Sequence, residues 1–259
     1  MEKKIYFLVS LNRSGNTILS SILNQNKEIA VTPNSIIPEI LSSVYFLKTT
    51  LTYKNFKDEK SFNNVINNIR NNYYSSWPQK FIIERSFIAD ELNLGLTKQT
   101  INNEFKGIVL VRPILETISS WIKLINENNI GIEYAKKYTK EEKLDLFIGD
   151  KNNLLLRIKQ IKFLIKKFNF LVVEYKDLII NPNETILKIY KYLNIPNFNH
   201  DFTKIEQFNI NGLQYIDSNV IDNLHLLKDN KLEMTQHDFT KIPKNILETF
   251  KQHNEYWKE

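Results

Sequence analysis

Four short, largely apolar runs punctuate the chain, and each stops at polar or charged residues. They are "IYFLV" at Ile5–Val9, "FIIE" at Phe81–Glu84, "GIVLV" at Gly107–Val111 and "FLVV" at Phe170–Val173. Runs of this length are too short for buried helices and read as strands covered on both faces. Helical patterns lie between them. Ile18, Leu19, Ile22 and Leu23 share one side of a helix beginning at Thr17. Leu155, Ile158, Ile161, Phe163 and Leu164 make an amphipathic helix over 152–167. Further helices are expected over about 36–48, over 62–74 (broken by Trp77 and Pro78), over 114–125, and from Pro243 onward, packing Ile246, Leu247, Phe250 and Trp257. In "NPNETILKIYKYL", Asn181 is the expected cap, Pro182 the first helical residue and Glu184 the reciprocal capping partner, with the helix ending near 193–196. Short strands alternating with helices predict an α/β fold, a mostly parallel central sheet flanked by helices. Ligands in such sheets bind beyond the carboxyl ends of the strands. Ser10–Thr17, Glu84–Arg85, Arg112 and Tyr175 all follow strands and are therefore expected at one edge.

Composition narrows the chemistry. The chain of 259 residues suffices for one sizeable α/β domain, 1–259, and with only 6 Gly and 7 Pro it offers no long flexible linker. Cysteine is absent, which excludes disulfides, cysteine-ligated metals and thiol nucleophiles. The four histidines, His200, His225, His237 and His253, form no metal-binding spacing, so no metal is expected. The net charge of +6 suits an anionic ligand, a nucleic acid or an acidic surface. Its aromatics lie among aliphatics rather than between basic clusters, so nucleic acid is not expected as a partner. The first apolar run is too short to span a membrane and reads as a strand rather than a signal peptide. No other stretch reaches the length of a span, and a cytoplasmic protein without an integral membrane segment is expected. Charge spread along several helices marks no partner face.

The stretch "SLNRSGNTIL", Ser10–Leu19, has the outline of a phosphate-binding loop between strand and helix. Against the pattern GxxxxGK[ST], Ser10 stands for the first Gly, Gly15 is retained, Asn16 stands for the Lys and Thr17 keeps the hydroxyl. The missing lysine is the one that reaches the β- and γ-phosphates in kinases and ATPases. Arg13 supplies a charge from three residues earlier, which suits a shorter anion held by backbone N–H groups at the helix N-terminus. Arg112 ends the third strand, and Ser120 lies eight residues on along the next helix. Both reach one anion if that helix folds back over the strand end.

These residues resemble the sulfotransferases that use 3′-phosphoadenosine 5′-phosphosulfate (PAPS). "NRSGNTILSSILNQN", Asn12–Asn26, is similar to their 5′-phosphosulfate loop. "VLVRPILETISSW", Val109–Trp121, is similar to their 3′-phosphate segment, with its Arg–Ser spacing. "VVEYKDLIINPNETILKIYKYLNIP", Val172–Pro196, resembles a later Tyr-containing segment, and "NLHLLKDNKL", Asn223–Leu232, weakly resembles a loop closing over the nucleotide. The likeness covers about residues 5–257 and is nearest to bacterial and phage-type proteins, more distantly to protein-tyrosine sulfotransferases. It implies a three-layer, P-loop NTPase-like fold, PAPS as donor and PAP as product. It also implies roles. Arg13, Ser14, Gly15, Asn16 and Thr17 would hold the 5′-phosphosulfate, and Arg112 and Ser120 the 3′-phosphate. Tyr175 would contact that phosphate or support the pocket, and Lys228 or Lys231 would make a late cationic contact. Arg85 stands where relatives place a catalytic cation after a strand.

The resemblance does not supply a base. The cytosolic relatives' histidine has no counterpart near the second strand. Where tyrosyl-protein relatives carry a glutamate, "VTPNSIIPEIL" at Val31–Leu41 has Thr32, Pro33, Asn34 and Ser35, and Glu39 arrives only later. Glu84 is either the base or a salt-bridge partner. Three functions are thus open: transfer of a sulfuryl group to a hydroxyl or amine, binding of PAPS or PAP without transfer, or nucleotide kinase chemistry. The acceptor is a small molecule, glycan, lipid or peptide, and a helical region near 35–78 lies on its side. The aromatics Tyr45, Tyr53, Tyr73, Tyr74 and Trp77 there are read as packing faces.

Overall fold

The computed structural model describes residues 3–86, 90–126, 137–149, 153–207, 209–214, 227 and 232–258. The chain begins with β1 (Lys4–Ser10), α1 (Asn16–Leu23) and β2 (Ile29–Val31). Next come α2 (Ile37–Phe46), a 3-10 turn at Leu47–Thr49, α3 (Leu51–Asn55) and α4 (Glu59–Tyr73). Then follow β3 (Phe81–Arg85), α5 (Glu91–Gln99), β4 (Gly107–Val111), α6 (Ile114–Asn126), α7 (Lys140–Phe147) and α8 (Leu154–Phe168). After β5 (Leu171–Glu174) come α9 (Tyr175–Ile180) and α10 (Pro182–Leu193). A small antiparallel hairpin of β6 (Asn209–Ile210) and β7 (Leu213–Gln214) precedes α11 (Lys244–Lys251).

Five strands form one sheet in the order β2-β3-β1-β4-β5, with every pair parallel. Side chains alternate across it with the period of two that strands impose. Phe7, Val9, Val109 and Val111 face one core, closed by residues such as Ile37, Ile66, Leu96, Ile118 and Ile158. Tyr6, Leu8, Ile108 and Leu110 face the other, closed by Leu19, Ile22, Ile186 and Ile189. Helices therefore cover both faces, as continuous apolar strands require.

The four expected strands form as expected. β2 was not anticipated, because three residues display no periodicity, and neither α5 nor α7 was. The helix expected over 36–48 ends at Phe46, and the chain then turns twice before α4. In α8 the inward stripe is Leu154, Ile158, Ile161 and Leu164, whereas Leu155 and Phe163 lie off it and are exposed. At α10, Pro182 opens the helix as expected, but the Asn181 side chain makes no capping bond. The final helix stops at Lys251, and Trp257 packs on the core from beyond it.

One charged pair ties the helical region to the sheet. Glu84 lies on the same face of β3 as Ile82, beside Phe7 of β1. There the Arg70 guanidinium of α4 donates from Nε to Glu84 Oε1 at 2.8 Å and from Nη2 to Oε2 at 3.2 Å. Arg70 also donates to Thr97 O and Thr100 Oγ1 and lies over the Phe7 ring. Both partners of the pair are fully buried. Of the two alternatives for Glu84, the structure shows the salt-bridge partner: both its carboxylate oxygens accept from Arg70 in a fully buried ion pair under α4. Removing one partner of a buried pair leaves the other charge unpaired in a dry site, at a cost of about 3–5 kcal/mol. Glu84→Gln should therefore lower stability by roughly that amount in equilibrium denaturation. An unchanged midpoint would show that the pair does not anchor α4.

Candidate active site

The loop between β1 and α1 owes its shape to two left-handed residues, Arg13 at φ 67° and Gly15 at φ 99°. Gly15 is obligatory on two counts. Its φ disfavours a side chain, and a Cβ there would lie 2.4 Å from Cδ2 of Tyr175. Beyond it, α1 opens without a side-chain cap, and its first intrahelical donor is Leu19, bonded to Gly15 O. The N–H groups of Asn16, Thr17 and Ile18 thus face outward with the positive end of the helix dipole. The Ser14 hydroxyl is buried and has no partner among the described residues. The two departures from the ATP-type loop bond each other: Ser10 Oγ donates to Asn16 Oδ1 at 2.7 Å. Asn16 therefore braces the loop, while Thr17 sits half-buried on the first turn.

Arg112, at the end of β4, is the hub of the neighbouring cluster. It is 5% exposed, and its Nη1 donates to Arg13 O at 3.3 Å. Its guanidinium lies 4.2 Å from the centre of the Tyr175 ring, the same ring that fills the space above Gly15. Arg13 in turn donates from Nε to Ser120 Oγ at 3.2 Å. Arg13, Gly15, Arg112, Ser120 and Tyr175 come from four different elements or loops and meet at one point. Burial and the adjacent Arg112 charge both lower the Arg13 pKa, the signature of two cations held together. Such a pair favours an anion between or beside it.

Two further members of this cluster escaped sequence reasoning. Glu116, one turn after Arg112, accepts from its Nε at 2.9 Å, an i,i+4 pair visible in retrospect. His237 arrives from more than one hundred residues away, with nothing in the local sequence to announce it. Arg112 Nη2 donates to His237 Nε2 at 2.5 Å, so that nitrogen carries no proton. Burial and the Arg112 charge, with a smaller contribution from Lys123, lower the His237 pKa; Glu116 opposes them. The unfolded chain then takes up the proton more readily than the folded one. Stability should fall as pH drops below the ordinary histidine value of 6.5. Thermal denaturation from pH 7.5 to 5.5 checks this: His237→Gln should shed part of the acid-side loss, and an identical profile would contradict it.

Arg85 ends β3 on the opposite face from Glu84. It is 9% exposed, its backbone N–H bonds Thr32 Oγ1, and its Nη2 donates to Asn34 Oδ1 at 3.1 Å. Here a cleft of about 720 Å³ opens between the loop, the ends of β1 and β3, α2 and α5. Ser10, Asn12 and Asn16 of the loop line it together with Arg85 and Ser86. Glu39 of α2 also lines it, as does Arg157 of α8, which the sequence had not marked. Glu84 does not. Lys228 and Lys231 lie outside the described residues, as does most of 223–232. Among the described residues no cluster of potential metal ligands occurs, and no helix is long and apolar enough to cross a membrane.

The family described as the sulfotransferase domain matches residues 3–254 of the chain. The chain belongs to that family. No curated protein matches it at a significant level. Among solved structures, mouse sulfotransferase SULT7A1 complexed with PAP is 15% identical, with a TM-score of 0.53 over 97% of this chain and 83% of that one. The sulfotransferase domain from the curacin biosynthetic pathway is 16% identical, with a TM-score of 0.51 over 96% and 97%. The sulfotransferase domain of the olefin synthase of Synechococcus PCC 7002 is 18% identical, with a TM-score of 0.51 over 77% and 76%. At these identities the likeness is one of fold.

Proposed function

We propose that the chain transfers a sulfuryl group from PAPS to a hydroxyl or amine of an acceptor and releases PAP. The observation that carries this reading is the meeting of Arg13, Arg112 and Ser120 beside a loop whose buried Ser14 hydroxyl has no partner among the described residues. PAPS presents anionic groups on both sides of a nucleoside, and the cluster offers two guanidinium groups to them. Arg13, with the N–H groups and hydroxyls of Ser14, Gly15, Asn16 and Thr17, holds the 5′-phosphosulfate. Arg112 and Ser120 hold the 3′-phosphate, and Tyr175 supports Arg112 and the loop from beneath. Lys228 remains the candidate late contact. No metal is invoked. Residues 1–259 are taken as one domain of the three-layer, P-loop NTPase-like class, with the helices near 35–78 on the acceptor side.

When bound, PAPS supplies an activated sulfuryl group. A bond from sulfur to the acceptor oxygen or nitrogen forms as the S–O bond to the donor phosphate breaks, and the acceptor proton must leave. Arg85, fixed by Asn34, stabilises the charge that grows on the departing phosphate oxygen. Glu39 takes the acceptor proton. It replaces Glu84 in this role because it is the carboxylate lining the cleft among the described residues. The Ser10–Asn16 bond leaves no cation at the lysine position of an ATP-type loop, which disfavours the kinase reading.

Transfer of labelled sulfate from PAPS to an acceptor panel tests the reading. Glu39→Gln should lower kcat by about 10²–10⁴-fold, the usual contribution of a general base, with PAP affinity unchanged. A Glu39→Gln enzyme of full rate would remove Glu39 from the mechanism. A protein that binds PAP and sulfates nothing would be the non-transferring member of the fold.

A further inference from the structure

The acceptor cleft has an unusual lining for its size. Of the fifteen residues around its 720 Å³, three are apolar: Leu8, Pro38 and Phe46. The other twelve are four asparagines, five serines, two arginines and one glutamate. Clefts that take phenols or long-chain alcohols are walled mainly by apolar side chains. An apolar acceptor here would strip water from amides and hydroxyls without replacing their hydrogen bonds. A ligand bearing many hydroxyls, each both donor and acceptor, matches groups that are themselves both.

Three details sharpen the match. The Ser86 Oγ, next to Arg85 on the cleft wall, is buried and has no partner among the described residues. On the opposite wall Ser42 donates to Asn93 Oδ1 at 2.9 Å, and Asn93 Nδ2 donates to Asp90 Oδ2 at 2.7 Å. That wall is held in place before anything binds, which spares the ordering cost of recognition. Phe46 stands at the cleft with 55% of its surface exposed and offers a flat face to the C–H side of a sugar ring.

The charges make a further distinction. Arg85 is taken up by the transfer itself. Arg157 reaches the cleft from α8 and is half-buried, and burial lowers its pKa. A guanidinium partly stripped of water gains most from an anion on the ligand.

Resting on the sulfotransferase reading above, we propose that the acceptor is an acidic carbohydrate, its hydroxyls read by the serines and asparagines of the cleft and its anionic group by Arg157. The test uses the full chain and two successive calorimetric titrations. PAP is added first, to saturation. A glucuronate-containing oligosaccharide, its carboxyl-reduced counterpart and 4-nitrophenol are then titrated separately. The acidic sugar should bind roughly tenfold or more tightly than the reduced one, as expected for a charge-assisted contact, and 4-nitrophenol should bind least. Arg157→Gln should abolish the preference for the acidic sugar while leaving PAP affinity and the reduced sugar unchanged; Arg157→Lys should restore part of it. Stronger binding of 4-nitrophenol than of either sugar, no sugar binding at all, or an undiminished preference in Arg157→Gln would overturn the inference while the donor site stands. Failure in the first titration would overturn the sulfotransferase reading itself.

Discussion

Parallel pairing of β1 with both β3 and β4 is the constraint on which the site depends. It brings the carboxyl ends of three strands together at the centre of the sheet, with β2 and β5 on either side. The loop after β1, Arg85 after β3 and Arg112 after β4 then have nowhere to go but the same edge. No single segment of the chain could bring these arginines to one edge. The mutual repulsion of Arg13 and Arg112 is tolerated because each is committed elsewhere, Arg13 to Ser120 and Arg112 to Glu116 and the Tyr175 ring, while Arg85 is held by Asn34. Those commitments hold the donors in place before a ligand arrives, which is what electrostatic stabilisation of a developing charge requires.

The sheet also divides the labour between its two sides. Consecutive residues of β3 point to opposite faces, so Glu84 and Arg85 lead different lives. Glu84 faces the larger core and secures α4 through Arg70, whereas Arg85 faces the loop and the cleft. The cleft wall on the proposed acceptor side is built from α2 and α5, and α4, which packs against α2, is pinned to the sheet by the buried pair. A structural ion pair thus stands one residue from the proposed catalytic cation.

Much of this was legible in the sequence. The four longer strands showed as apolar runs because both faces of the sheet are covered, and their endings located Arg13, Arg85, Arg112 and Tyr175. The spacing of Arg112 and Ser120 left open whether they share one anion; in the structure both touch Arg13. What could not be read were relations across the chain. Nothing near Glu84 shows that Arg70 of α4 reaches it, and alternation alone decides that Glu84 faces the larger core and Arg85 the opposite face. His237 joins Arg112 from a distant loop, and Arg157 reaches the cleft from α8; neither carries a local pattern. Glu39 was visible as a residue, but its place on the cleft follows from where α2 begins after the short strand β2.

The most direct measurement of the central claim is a calorimetric titration of PAP into the wild-type chain and into Arg112→Ala, without magnesium. The account predicts micromolar binding to the wild type and a loss of one hundredfold or more in the variant, on the order of a buried charge-assisted contact. Equal affinity for both proteins, or no binding to either, would contradict the claim that these converging strand ends form a site for the nucleotide.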